Sequence, residues 1–425
     1  MIIYASGTAV VIEDRHPDSR GGSGTLEPQH PSVVDRGANS ANCERPMITP
    51  APLTDREPLV VRLRWFAWRV APAVGMYLAI RLATLAILGA IARVRQQSLL
   101  NYLHGWDGKW YLEVAQQGYV HAIPPGHSTP AQCDLGFFPM LPLILRATHW
   151  LFGGNWTVDG VVVSAVAGMA AVSFLWIAIE DRFGTSGARR GLALVLLSPA
   201  SVVLSMVYTE TYIMLGAAVT IWALERRHWV VAGLAAALTT TLDPVGLAVI
   251  APCVLVAWRE LQQRGNWRAL AAPVLAPLGI TTFFLYLWRH TGSFFEYFHA
   301  QRAGWQYGPF GTGIPYAFGQ FFLHFLGDIT STVKVLSFGV CLAMIWWAWQ
   351  KRTTWIWITY ALVVLGMGAI SPIICITPRL LLRAFPLLAA VGATLPRRVF
   401  PVALAISVGM MVCLTIFSTS PYWVP

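Results

Sequence analysis

Apolar runs of membrane-spanning length recur in this chain from residue 68 to the C-terminus. That recurrence constrains the fold more than any other feature. A bilayer core offers no water to a bare peptide group, so only helices and closed barrels cross it. The alternating pattern of a transmembrane barrel is absent. The expected fold is therefore all-α, a polytopic helical membrane protein. The formal net charge of +10 could suggest a nucleic-acid partner. Most positive residues, however, fall in short loops between apolar runs, where they report orientation, so no nucleic acid is expected. The six cysteines, Cys43, Cys133, Cys253, Cys341, Cys375 and Cys413, show no pair with metal-ligand spacing. They read as small buried hydrophobes, and neither a metal nor a cofactor is expected.

Residues 1–58 are poor in large apolar residues and rich in Pro, Gly, Ser and charge, which predicts a disordered tail. The opening run Met1 to Ile12 has no basic flank before it and is too short to span, so it does not read as a signal peptide. Arg62, Arg64 and Arg69 precede the first span and place the tail in the cytoplasm. Residues 59–425 form the membrane body. Spans are expected near 70–92, 160–180, 189–206, 210–225, 229–242, 244–258, 269–288, 332–349, 354–372, 379–395 and 399–418, about eleven in all within a range of about ten to thirteen.

The segment 137–152 is apolar but short, and Pro139 and Pro142 interrupt it. The basic loops decide its role. Arg182/Arg189/Arg190, Arg226/Arg227, Arg259/Arg264/Arg268, Lys351/Arg352 and Arg397/Arg398 all fall on the cytoplasmic side if 137–152 does not cross. It is therefore read as re-entrant or interfacial. Residues 93–136 and 289–331 become two long outer loops. No internal repeat is visible.

The first outer loop holds Gly105-Trp106-Asp107-Gly108-Lys109-Trp110-Tyr111, followed by Gly118-Tyr119. Trp106, Trp110, Tyr111 and Val114 recur at helical spacing, so 106–117 can lie as an amphipathic helix on the membrane surface. Asp107 is either a solvated acid in an aromatic belt or a group with chemistry to do. Past residue 70 the acids cluster away from mid-membrane depth, where a proton-coupled transporter would need one. Asp243, in Leu242-Asp243-Pro244, reads first as a turn acid. Arg379 and Arg383 stand four apart and share a helix face. They suit bidentate binding of phosphate oxygens, or simple snorkelling to lipid headgroups.

Four further patches follow in order: Phe137-Phe138-Pro139-Met140-Leu141-Pro142, then Ser198-Pro199-Ala200-Ser201 running into Tyr208-Thr209-Glu210, then Ala300-Gln301-Arg302 before Trp305, then Pro378 to Pro386. Each alone could be a Pro-broken helix end. Together with Trp106-Asp107 and Gly118-Tyr119 they resemble the PIG-V family of membrane mannosyltransferases, whose eukaryotic member adds the second mannose of the GPI anchor and which has bacterial relatives. The resemblance covers roughly residues 70 to 418. One departure is Leu242-Asp243-Pro244, where relatives often carry an Arg-Pro turn. It reverses a local charge.

The resemblance implies a GT-C glycosyltransferase with inverting chemistry. Such an enzyme takes sugar from a polyprenyl-phosphate donor on the non-cytoplasmic face of a bacterial inner membrane and passes it to a lipid or glycan acceptor. It implies Asp107 as catalytic base and Arg379, Arg383 and Arg302 as donor-phosphate ligands. Trp106, Lys109, Trp110, Tyr208, Glu210, Gln301 and Trp305 would contact substrate, with the sugar among aromatics such as Trp305 and Tyr307. The competing classes are a flippase or transporter of lipid-linked sugar and a membrane scaffold. A transporter favours repeats and mid-membrane charge, and a scaffold has no need of Asp107.

Overall fold

The computed structural model describes residues 58–124, 131–305, 311–324, 327–351, 353–371 and 377–420. The expected tail over 1–58 lies almost wholly outside them, as does Tyr307. Every regular element among the described residues is helical. In chain order the α-helices are α1 (Leu59–Val94), α2 (Leu99–Leu103), α3 (Asp107–Gln117), α4 (Met140–Phe152), α5 (Trp156–Leu196), α6 (Glu210–Glu225), α7 (Trp229–Thr240), α8 (Ile250–Arg264) and α9 (Ala271–Leu275). They continue with α10 (Leu278–Thr291), α11 (Glu296–Trp305), α12 (Gly313–Leu323), α13 (Ile329–Gln350), α14 (Trp355–Ile370), α15 (Pro378–Arg383), α16 (Phe385–Thr394) and α17 (Phe400–Phe417).

Six helical stretches are long and apolar enough to cross a membrane: Val60–Val94, Trp156–Leu196, Pro244–Arg264, Trp267–Thr291, Ile329–Gln350 and Phe400–Phe417. Helices α7, α14 and α16 are apolar but shorter. Much of the apolar surface of the long helices faces outward, as lipid permits: Leu82, Val166, Trp346 and Ile406 are all exposed. Three of the cysteines, Cys133, Cys253 and Cys341, are buried, whereas Cys413 is exposed on α17.

Ion pairs identify one end of the bundle. Arg69 at the start of α1 binds Glu180 (2.7 Å) and Asp181. Asp181 also takes Arg226 at 2.7 Å, and Glu225 takes Arg182 and the Trp357 indole N–H. Arg190 donates to the carbonyls of Ala393 and Leu395, each at 2.7 Å, and Arg264 pairs with Glu260 at 2.6 Å. Basic residues from loops far apart in sequence therefore share one end, as their charge pattern predicts. Helix α5 reaches this end and turns back at Gly184, whose φ of 68° and ψ of 175° suit a residue with no Cβ.

The opposite end carries the broken helices. Arg81, inside α1 and 5% exposed, donates to the carbonyls of Leu196 (2.9 Å) and Ser201, and to Ser205 Oγ at 3.3 Å. It thereby satisfies carbonyls freed where Ser198-Pro199 interrupts the chain after α5. A lone arginine within an apolar helix is tolerable only with such partners. Val207 N–H then donates to Leu103 O at 2.9 Å, tying this segment to α2.

Helix α4 stays at that same end throughout. Met140 N–H donates to Thr241 O at 3.1 Å, Arg146 donates to Ala115 O at 2.7 Å, and His149 Nδ1 meets Asp159 Oδ2 at 2.8 Å. Its 13 residues fall short of the ~20 needed to span. Tyr111, Leu112, Phe137, Leu141, Leu145, Val207 and Ile213 form the apolar layer that seats α3 and α4 on the bundle.

Candidate functional site

Asp107 opens α3, and a tight approach fixes that helix start. A Cβ on Gly108 would lie 3.2 Å from Val207 O, so glycine lets α3 settle against the segment leading to α6. Trp106, the residue before Asp107, has φ 55° and ψ −115°, a conformation that a bulky residue adopts only under constraint. Such strain costs on the order of 1–3 kcal/mol and is held by its surroundings. Here the Tyr208 hydroxyl donates to Gly105 O at 3.2 Å, clamping the turn from beneath.

From Asp107 a row of charges runs across four elements. Arg379 Nη1 donates to Asp107 Oδ2 at 2.8 Å, and Arg379 Nε donates to Glu210 Oε1. Arg383 donates to the same Glu210 oxygen through Nη2 at 2.7 Å and Nε at 3.1 Å. Its other side forks onto Asp243, with Nη1 to Oδ1 at 3.1 Å and Nη2 to Oδ2 at 3.0 Å. The order is Asp107, Arg379, Glu210, Arg383, Asp243, alternating in sign. Exposure falls inward: the Asp107 side chain is 28% exposed, Arg379 15%, Arg383 6% and Glu210 1%. Buried charges of this kind stand only when paired. Glu210 Oε2 is nonetheless buried with no hydrogen-bond partner among the described residues.

Local sequence explains how each side chain arrives. Thr377 caps α15 by accepting from Leu380 N–H at 3.4 Å, Pro378 opens the helix, and the four-residue spacing aims Arg379 and Arg383 along one face. Glu210 is the first residue of α6, where an acid suits the helix dipole. Asp243 accepts from Val245 N–H at 2.9 Å and so is the turn acid expected from Asp-Pro, but it is also the last partner of Arg383. The Arg379 guanidinium lies 4.7 Å from the Tyr208 ring centroid, a cation–π contact that holds it flat.

One turn along α3 lies an aromatic group. Trp110 stacks on Phe137 with centroids 5.8 Å apart, and Trp305 meets both edge-on, at 6.1 Å from Trp110 and 5.6 Å from Phe137. Gln301 Nε2 donates to Gly136 O at 2.8 Å, locking α11 to this group. Lys109 is exposed, with its ammonium 4.7 Å from the Trp110 ring centroid.

The sequence-predicted residues thus fall into two neighbouring sets. Asp107, Arg379, Arg383, Tyr208 and Glu210 form the charged row, with Trp106 at its head. Trp110, Trp305 and Gln301 form the aromatic wall, with Lys109 at its rim. Arg302 is exposed on α11 and makes no ion pair with any described residue, so it stands apart from the row. Asp243 belongs to the row although its Asp-Pro context marks it first as a turn residue. The signal that pointed further was the reversed charge at Leu242-Asp243-Pro244.

Row and wall together bring a partly accessible carboxylate, two guanidiniums and a group of packed aromatic rings to one end of a helical bundle. That set can take a proton from a hydroxyl, balance charge on a phosphate and stack a sugar ring.

No protein family and no curated protein matches this chain. Among solved structures it is similar to ArnT from Cupriavidus metallidurans bound to undecaprenyl phosphate. The TM-score is 0.50 and the identity 17%, over 78% of this chain and 62% of that one. The apo form of the same protein gives a TM-score of 0.48 at 16% identity, over 81% of this chain and 62% of that one. The chain therefore spans less than two thirds of the length of ArnT. The likeness shows that this chain shares the fold of ArnT, in agreement with the all-helical expectation.

Proposed function

We propose that this chain is an integral-membrane glycosyltransferase that moves a sugar from a polyprenyl-phosphate donor to a lipid or glycan acceptor. The observation that carries this reading is the row from Asp107 to Asp243, set at one end of an ArnT-like bundle. In that neighbour undecaprenyl phosphate is the bound molecule, which supports a polyprenyl phosphate as the lipid here.

The chemistry is a single displacement at the anomeric carbon with inversion. Asp107 accepts the proton of the acceptor hydroxyl as the new C–O bond forms. The bond from the anomeric carbon to the phosphate oxygen breaks, and its electron pair leaves on the polyprenyl phosphate. Charge growing on that phosphate is met by Arg379 and Arg383, whose planar forks match phosphate oxygens. The aromatic wall of Trp110 and Trp305 stacks the sugar. Lys109 and the more distant Arg302 flank the approach rather than the reacting bond.

The finer statements rest on the family resemblance. They are a mannosyl donor, PIG-V-like membership and a bacterial inner membrane with the row on its outer face. The reading of eleven passes counts α7, α14 and α16 among shorter crossings, beside the six stretches of spanning length. The test is transfer of labelled mannose from a purified polyprenyl-phosphate mannose by the protein in detergent. Parent protein should transfer label and Asp107→Asn should lose at least ~100-fold, the low end for a general base. Near-normal turnover in the Asn variant removes Asp107 from the base role, and no transfer by the parent from any polyprenyl-phosphate sugar removes the function.

A further inference from the structure

Gly118-Tyr119 stands out in the sequence, yet neither the row nor the wall makes use of it. The two residues begin a strap, 118–124, that leaves the end of α3. Gly118 turns the chain with φ 84° and ψ −177°, a conformation suited to glycine. Beyond it the strap is tied to other elements. The Tyr119 hydroxyl donates to Phe137 O at 2.9 Å, and Val120 N–H donates to both Asp134 carboxylate oxygens at 3.2 Å. Phe137 is the ring on which Trp110 stacks and which Trp305 meets edge-on. The strap is therefore fastened to the aromatic wall.

Two histidines make a second fastening. His290, next to the end of α10, places Nε2 3.0 Å from Tyr119 O and 3.1 Å from Val120 O. His121 places Nδ1 3.5 Å from His290 O. A carbonyl can only accept, so His290 Nε2 and His121 Nδ1 both carry a hydrogen here. The two imidazoles stack with centroids 4.1 Å apart and planes 26° apart, and the Tyr286 ring stacks on His290 at 5.2 Å. Each histidine has one ring nitrogen left to protonate. His121 is exposed and His290 half-buried, so water can deliver that proton.

The surrounding charges suit one imidazolium. Asp134 acts on His290, and Glu113 on α3 acts in turn on Asp134. Cations are close as well: Arg146 on α4 acts on Tyr286, and the exposed Arg289 precedes His290 on α10. Glu296 on α11 is taken up by His299 at 3.2 Å. Tyr119 and Tyr286 are phenols and stay neutral where imidazoles titrate. A first proton on the pair faces Asp134. A second puts a like charge one ring away, 4.1 Å between centroids, with no further carboxylate on the pair among the described residues.

We infer that residues 118–124 form an acid-released latch, closed while at most one of His121 and His290 is charged and open once both are. The sign follows from linkage. Apart, the two rings take two protons freely; stacked, they resist the second. The released strap therefore binds more protons, and falling pH favours it. Release unfastens Tyr119 from Phe137 and so loosens the aromatic wall. The latch does not depend on the transferase reading.

The test is amide hydrogen exchange of the full-length protein in detergent, followed over 118–124 and corrected for free-peptide exchange at each pH. In the parent, protection should fall at least about tenfold between about pH 7 and about pH 5, since one extra proton in the open form is worth up to about tenfold per pH unit. His121→Phe keeps a ring in the stack without a charge. His290→Gln keeps an N–H for the two carbonyls without a charge. Protection in both variants should stay level across the same range, and if one does not fold the other decides. A level parent overturns the inference. So does an acid loss undiminished in the variants, which assigns release to Asp134. A strap open at every pH in both also overturns it, because the rings are then a fixed clasp with no part for charge.

Discussion

Asp107→Asn should make the protein hold undecaprenyl phosphate more tightly while it stops turning over. Arg379 is shared in the structure. Its Nη1 lies 2.8 Å from Asp107 Oδ2, and a lipid phosphate arriving at the same guanidinium must compete with that carboxylate. Two unit charges at about 4 Å attract by about 4 kcal/mol at a dielectric of about 20, but desolvation returns most of it. With 28% of the Asp107 side chain and 15% of Arg379 still exposed, the net hold is nearer the range of a charge-assisted hydrogen bond in partial contact with water, about 1–2 kcal/mol. Asparagine keeps the shape and one acceptor oxygen but loses the charge, so Arg379 stays placed and its competitor weakens. The phosphate should then bind about five- to thirtyfold more tightly. Titration of undecaprenyl phosphate into the purified variant in nanodiscs reads this directly, by fluorescence of the nearby tryptophans. Equal or weaker affinity in the variant would refute a shared guanidinium and place the phosphate away from Arg379.

Three other outcomes can be checked. Arg383→Ala leaves the half-buried Asp243 without its ion-pair partner and the buried Glu210 with Arg379 alone, and should cost about 3–5 kcal/mol of stability, read as a lowered unfolding midpoint, whereas Arg383→Lys should recover only part because it cannot fork onto both acids. With native cysteines removed, a cysteine at the exposed Glu113 should react with an impermeant thiol reagent in intact cells and one at Arg264 only after permeabilisation; the reverse pattern inverts the topology. Burial raises the Asp134 carboxyl above the usual carboxylate range, although Val120 N–H donates to it and pulls the other way. A carboxyl with a raised folded-state pKa contributes stability that is lost as pH rises through that value, so Asp134→Asn should gain on the parent from acid to neutral pH, and a pH-independent difference in melting would contradict this.

Local pattern made much of this legible. Helix-period apolar runs, basic loops and the four-residue spacing of Arg379 and Arg383 each depend on residues close in sequence. The aromatics around Asp107 do as well. What escaped was pairing at long range. Arg379 finds Asp107 across 272 positions, and a lone sequence gives no means of matching them. The two arginines read as free phosphate ligands, yet each is already engaged by carboxylates from other helices. Asp243 was obscured because Asp-Pro is an ordinary turn signal, and the residue meets both demands with one side chain. Arg81 stands in the middle of an apolar run, and its carbonyl partners exist only because α5 breaks after Leu196. Arg302 had the right charge and neighbourhood, but its helix is turned so that it faces outward.

The alternation of the row has a kinetic corollary. Three carboxylates face two guanidiniums, so the row keeps one negative charge in excess. A sugar-bearing polyprenyl phosphate is a diester with a single charge. The lipid left after transfer is a monoester, whose second ionisation near pH 6 brings it toward two charges at neutral pH. On the transferase reading, once Asp107 has released the proton it took, a spent lipid meets more net repulsion from the row than a loaded one. In that reading the surplus acid discriminates between fuel and exhaust, favouring departure of the used carrier and clearing the bundle for its next passenger.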